Sequence, residues 1–201
     1  GTRMRQHSSP IVVFTGSENG VDLRDVSFGR TIKERGYDEA FIRDFVLAYP
    51  EALPIKEVDP TMGAPISLCA ELSTPAGPIY AVMITRDGMP IIVECKLWQN
   101  PQARREVVGQ ILDYAKEMRT WSYEDLQRGV AQRIGTQRFN LHEYVSSKSD
   151  LEMDEVRFID AVTENLRRGR FALLVVGDGI RSDVEAISEY LSGSRAVEFT
   201  F

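Results

Sequence analysis

Two hydrophobic periods alternate along the chain and divide it into helix-like and strand-like stretches. The first clear helical stripe follows Asp38. Phe41, Phe45, Val46 and Ala48 recur at helical spacing, Asp38 is placed to cap the start, and Pro50 closes the end. Pro50-Glu51-Ala52-Leu53-Pro54 is a stiff exit. Residues 66–72, 79–85 and 89–97 then read as three strands. Turn residues, Thr74-Pro75-Ala76-Gly77-Pro78, separate the first two, and Arg86-Asp87-Gly88 signals a hairpin before the third. The third strand is apolar on both faces until Glu94, the pattern of a central strand covered by helices. Pro101 opens a long helix with Asn100 as its cap, and Val107, Val108, Ile111, Leu112 and Ala115 give it a core face. Another helix is expected over 122–130, where Ser122 and Asp125 make a capping box. Residues 132–150 are polar and show no clear period. A helix over 151–166, a buried strand over 171–176, a turn at Gly177-Asp178-Gly179, a helix over 183–191 and a strand over 195–201 complete the series. Residues 11–14 make a further short apolar run.

The order α-β-β-β-α, further helices, then β-α-β predicts an α/β fold with a mixed central sheet flanked by helices. Residues 1–30 read as an N-terminal extension and 31–201 as one domain. The apolar final run Val197-Glu198-Phe199-Thr200-Phe201 suggests the N-terminal part of a longer protein. With 201 residues, 43% hydrophobic and 27% charged, the chain can bury a core without staples. No run is long and apolar enough to cross a bilayer, and no secretory signal is visible. Cys69 and Cys95 sit inside strand-like runs and read as buried free thiols, which suits a cytoplasmic protein. Without a Cys/His cluster no structural zinc site is expected, and His7 and His142 are too far apart to suggest a histidine base. The net charge of −6 argues against tight non-specific nucleic-acid binding. It leaves room for a local basic patch and for a carboxylate metal site.

The chemistry concentrates on Ile91-Ile92-Val93-Glu94-Cys95-Lys96. Residues i and i+2 of a strand share a face, so Glu94 and Lys96 project together from an apolar run. Such charges are costly there unless paired or used. A carboxylate can hold Mg²⁺, and a neighbouring lysine can position a water as its ammonium or deprotonate one as its free amine. The plain alternative is that the strand ends here and both groups are solvated. On the following helix Gln110 and Tyr114 are one turn apart and share a face, with Arg104 and Arg105 one to two turns earlier. This polar stripe lines a groove for nucleic acid beside Glu94 and Lys96, or is an ordinary solvated face. Arg167, Arg168 and Arg170 form a local basic cluster that suits a solvated helix end better than a nucleic-acid contact.

In order, Gly77-Pro78-Ile79 with Val82, then Asp87-Gly88, then Val93-Glu94-Cys95-Lys96, then Val108-Gly109-Gln110-Ile111-Leu112-Asp113-Tyr114 resemble the PD-(D/E)xK nuclease superfamily. The nearest flavour is the RecB-like and NucS-like branch, whose pattern runs G-x-I-D, E-x-K, Q-x-x-x-Y. The resemblance covers residues 37–119. It implies a restriction-endonuclease-like α-β-β-β-α-β core and a metal-dependent DNA nuclease that hydrolyses phosphodiester bonds. In that reading Glu94 binds Mg²⁺ or Mn²⁺, the carbonyl of Cys95 adds a ligand, and Lys96 acts on the attacking water. Gln110 and Tyr114 support the site or touch the DNA backbone, and Arg104 and Arg105 contact nucleic acid. A first-helix carboxylate, Glu39 or Glu51, contributes, with Glu39 ranked first. DNA is the implied partner, homodimerisation is an analogy with the fold, and no small-molecule cofactor is expected.

One position departs from the pattern. The first acidic ligand should follow Ile79, and this sequence has Tyr80. A phenol with an ordinary pKa of about 10 is a poor partner for a hard cation. Three explanations are open: natural loss, a change introduced into the sequence, or takeover by a nearby acid such as Glu71. The competing functions are therefore an active nuclease, an inactive nuclease-fold domain that binds nucleic acid or protein, and an interaction module that merely uses an α/β sandwich.

Overall fold

The computed structural model describes residues 38–53, 55–58, 60–96, 101–150 and 153–177. The expectations for 11–14, 183–191 and 195–201, for the cap at Asn100 and for Asp178 and Gly179 lie outside the described residues.

Helix α1 (Glu39–Ala48) begins where the capping chemistry demands: Asp38 is extended and its Oδ1 accepts from the Phe41 amide at 2.8 Å. A 3₁₀ turn (Pro50–Ala52) and the single-turn helix α2 (Ile55–Val58) follow. The expected core stripe of α1 needs one correction. Phe41 is 40% exposed, whereas Val46 is buried and Ile42 and Phe45 pack beside it. The inward face follows positions 42, 45 and 46, and Phe41 lies about 100° of helical rotation from Ile42.

Four strands form one mixed sheet in the order β1 (Pro65–Leu72), β2 (Ile79–Thr85), β3 (Pro90–Lys96), β4 (Ala172–Gly177). The two short turns make β1/β2 and β2/β3 antiparallel. β4 lies parallel to β3, an arrangement that requires a long crossover. Helices α3 (Pro101–Met118), α4 (Tyr123–Ile134), α5 (Leu141–Ser147) and α6 (Glu155–Arg168) make that crossover. The Ser122–Asp125 capping box is present, and Asp154 caps α6. α5 falls in the stretch without a clear period. It buries only Leu141 and Val145, so seven residues offer too few core positions to reveal a stripe.

The core is split by the sheet. On one face Val46, Leu53 and Ile55 pack against Met83, Ile91, Val93, Cys95 and Leu174. On the other, Ile111, Met118, Leu126, Phe158 and Leu166 pack against Leu68, Val82, Ile84, Ile92 and Val175. Every residue of β3 up to Cys95 is buried, as its unbroken apolar run requires. The β2–β3 hairpin docks on α6: Asn165 Nδ2 donates to the Gly88 carbonyl at 2.9 Å. Gly88 has φ +90°, and a Cβ there would lie 3.2 Å from the Val162 amide nitrogen, so glycine serves both the turn and the contact. Among the described residues no helix is long and apolar enough to cross a membrane.

Candidate active site

The C-terminal end of β3 carries Glu94 and Lys96. Period-two alternation sends Val93 and Cys95 into the α1-side core and sets Glu94 beside Ile92 on the α3 side. Glu94 is 4% exposed, so the reading of a solvated strand end is wrong for this residue; Lys96 is half-buried. Glu94 Oε2 has no hydrogen-bond partner among the described residues. Burial pushes the carboxyl up to about 7; Lys96 pulls it down and Glu39 pushes it further up. A carboxyl group kept this dry, with an oxygen left without a partner, is a costly feature for a structural residue.

Glu39 lies in the first turn of α1. Its charge acts on Glu94, on Tyr80 and on Cys95. Glu51 is exposed on the turn after α1 and is not among the groups acting on Glu94. The Cys95 thiol is buried and pushed far above its ordinary range, chiefly by desolvation, so that side chain is neutral packing. What the resemblance asks of this residue concerns its carbonyl only.

Tyr80 stands on β2, next to β3, but its ring packs with the α1-side cluster. The Arg43 guanidinium lies over it, 5.0 Å from the ring centroid. Burial pushes the phenol up to about 12 against the opposing pull of Arg43, so no phenolate is offered to a cation near neutral pH. Glu71 does not take over. Its backbone is left-handed (φ 51°), its Oε1 accepts from Arg43 Nη1 at 3.2 Å, and its Oε2 accepts from Arg133 Nη2 at 3.1 Å. Both oxygens are thus committed to guanidinium groups from α1 and α4.

Local sequence does not reveal the contacts of Arg43, because its partners lie 28 and 37 positions away, on β1 and β2. One local signal exists: Glu39 and Arg43 are four apart, so both project from one face of α1.

Helix α3 supports the site from the other layer. Gln110 Nε2 donates to the Tyr114 hydroxyl at 2.5 Å, and that hydroxyl donates to the Pro78 carbonyl at 2.8 Å. Tyr114 is fully buried and feels the charge of Glu94, so it braces the β1–β2 turn and is closed to the DNA backbone. Tyr114→Phe leaves the Pro78 carbonyl without this donor and is expected to cost about 1–2 kcal/mol. Urea unfolding checks it: an unchanged midpoint would show that the bond contributes nothing. Arg104 and Arg105 fall in the first turns of α3, and their side chains lie outside the described residues. Arg167 and Arg168 both pair with Glu164 on an exposed helix end, the solvated arrangement expected of that cluster.

Among the described residues no group of three or more His, Cys, Asp or Glu side chains is placed to hold a metal ion. Glu94 lies within reach of the charges of Glu39 and of Lys96, two residues along the strand. No protein-family model matches the chain, and no curated protein or solved structure matches it either.

Proposed function

We propose that the chain is a nuclease domain of the PD-(D/E)xK type with a restriction-endonuclease-like core. It would hydrolyse DNA phosphodiester bonds with Mg²⁺ or Mn²⁺, through a metal site that Tyr80 leaves one carboxylate short. The observation that carries this reading is Glu94: a buried carboxylate with an orphaned oxygen, an ammonium two residues on, and a second carboxylate within electrostatic reach. The mixed four-stranded sheet flanked by helices, with α1 before it and α3 after β3, supports this reading at the level of an α/β architecture.

A divalent cation fits this site as a weakly held guest. Hard cations take carboxylate oxygens, and Glu94 Oε2 lacks any other partner among the described residues. Glu39 and Glu94 would hold it, with the Cys95 carbonyl as a further oxygen. When bound, such an ion lowers the pKa of water and offsets charge on the phosphate. The chain's own residues do the rest. Lys96 orients the attacking water or takes its proton, and the Gln110–Tyr114–Pro78 chain of hydrogen bonds keeps the neighbouring turn in place.

Tyr80 and its covering arginine favour a second reading, an inactive nuclease-fold domain that binds DNA without cutting. Calorimetry with Mn²⁺ and cleavage assays on plasmid and single-stranded DNA separate the two. The nuclease reading expects a dissociation constant of roughly a millimolar and slow cutting that Glu94→Ala abolishes. Neither binding nor cutting at millimolar Mn²⁺ would sink it, and a metal-independent gel shift in the same samples would establish the second.

A further inference from the structure

We propose that the outer edge of β1 is an interface for a second copy of this chain, held shut by Arg133 and Tyr144. Among the described residues β1 is an end strand of the sheet, and its neighbour is β2. The edge of such a strand that is turned away from its neighbour offers backbone groups to any further strand unless something covers it.

Two helices cover it here with side chains. Tyr144 of α5 donates its hydroxyl to the Ser67 carbonyl at 2.8 Å, and Arg133 of α4 donates from Nε to the Ala70 carbonyl at 2.8 Å. Residues three apart face opposite edges of a regular strand. Between Ser67 and Cys69, however, β1 advances two residues for one of β2, and this extra residue turns both carbonyls to the same outer side. Pro65, two positions before Ser67, shares that side and has no N–H to give. After Ala70 the backbone departs from extended geometry: Glu71 has φ 51°, and its carboxylate accepts from Arg133 Nη2 at 3.1 Å and from Arg43 Nη1 at 3.2 Å. Arg133 thus caps the Ala70 carbonyl and also holds the bend that follows it.

The covered segment Ile66-Ser67-Leu68-Cys69-Ala70 carries no charge of its own. Edge strands are commonly blunted by their own lysines, and here that task falls to the two helices. The occupant such a segment fits is the same segment of a second copy. Two β1 edges related by a twofold axis pair antiparallel, with no charge inside the paired stretch to oppose them.

The test is sedimentation velocity of the full chain over a concentration series, for the parent, Arg133→Ala/Tyr144→Phe and the control Arg128→Ala, which removes an exposed α4 arginine paired with Asp125. Arg133→Met/Tyr144→Phe, which keeps the aliphatic stem, stands in if the alanine variant does not melt cooperatively. Each cap counts for a factor of roughly two to ten, so the double variant is expected to self-associate at least about tenfold more tightly than the parent, while Arg128→Ala matches the parent. In a strand the N–H and C=O of one residue point to the same edge, so amide hydrogen exchange at Ser67 and Ala70, followed by NMR, should slow as the double variant associates. A merely structural role for the two caps would lower the melting temperature and move neither readout. A double variant that self-associates no more than the parent overturns the proposal, and so does association that leaves exchange at Ser67 and Ala70 unchanged.

Discussion

Tyr80→Asp is expected to tighten Mn²⁺ binding by at least about tenfold and to confer or strongly raise Mn²⁺-dependent DNA cleavage. The magnitude follows from adding a carboxylate to a two-carboxylate site, since even outer-shell partners of metal ligands are worth about 10–100-fold. Two controls give the result its meaning. Tyr80→Phe keeps a ring beneath the guanidinium and should behave as the parent. Glu94→Ala in the Tyr80→Asp background should return both binding and cleavage to background, because it removes the one carboxylate among the described residues with an unpartnered buried oxygen. If Tyr80→Asp folds as the parent and shows neither binding nor cutting, the metal does not sit between β2 and β3, and Glu94 is buried for another reason.

The parts of this molecule that local chemistry determines were legible in the sequence. Asp38 capping α1, the Ser122–Asp125 box, the three strands broken by turn residues and the buried β3 all rest on interactions within a few residues. The strand pair Glu94 and Lys96 and the helical pair Gln110 and Tyr114 were legible for the same reason. What escaped was decided by contacts between distant segments. The burial of Glu94 depends on helix layers packed on both faces of β3, so spacing alone left a solvated strand end equally open. The orientation of the Tyr80 ring depends on Arg43, and Glu71 is claimed by arginines 28 and 62 positions away, which removes it as a substitute ligand. Phe41 looked like core because its spacing to Phe45 is helical, yet the direction in which α1 presents its face is set by the sheet beneath it.

Replacing Glu94 by its neutral isostere should make the protein more stable at alkaline pH and less dependent on pH. The carboxyl's ordinary value is 4.5, and in the folded protein burial raises it to about 7. The fold therefore favours the protonated acid. The stability this contributes is fully present below about pH 4.5 and is lost as pH rises through 7, where the buried group ionises. A shift of that size is worth about 3 kcal/mol across the window. Glu94→Gln, uncharged throughout, should show little of this slope and should exceed the parent by up to about 3 kcal/mol at pH 8, with near parity at pH 4. Urea unfolding across that range checks it; a parent whose stability does not fall between pH 5 and 8 would contradict the buried, unpartnered carboxylate. The same linkage bears on function. An ion that binds the ionised carboxylate recovers part of the cost of charging it, so saturating Mn²⁺ should raise the parent's stability at pH 8 far more than at pH 5, and should leave Glu94→Gln unmoved at both. A group that costs stability when ionised and regains it only with a cation bound is the thermodynamic signature of a ligand, and it is measurable without any assay of cutting.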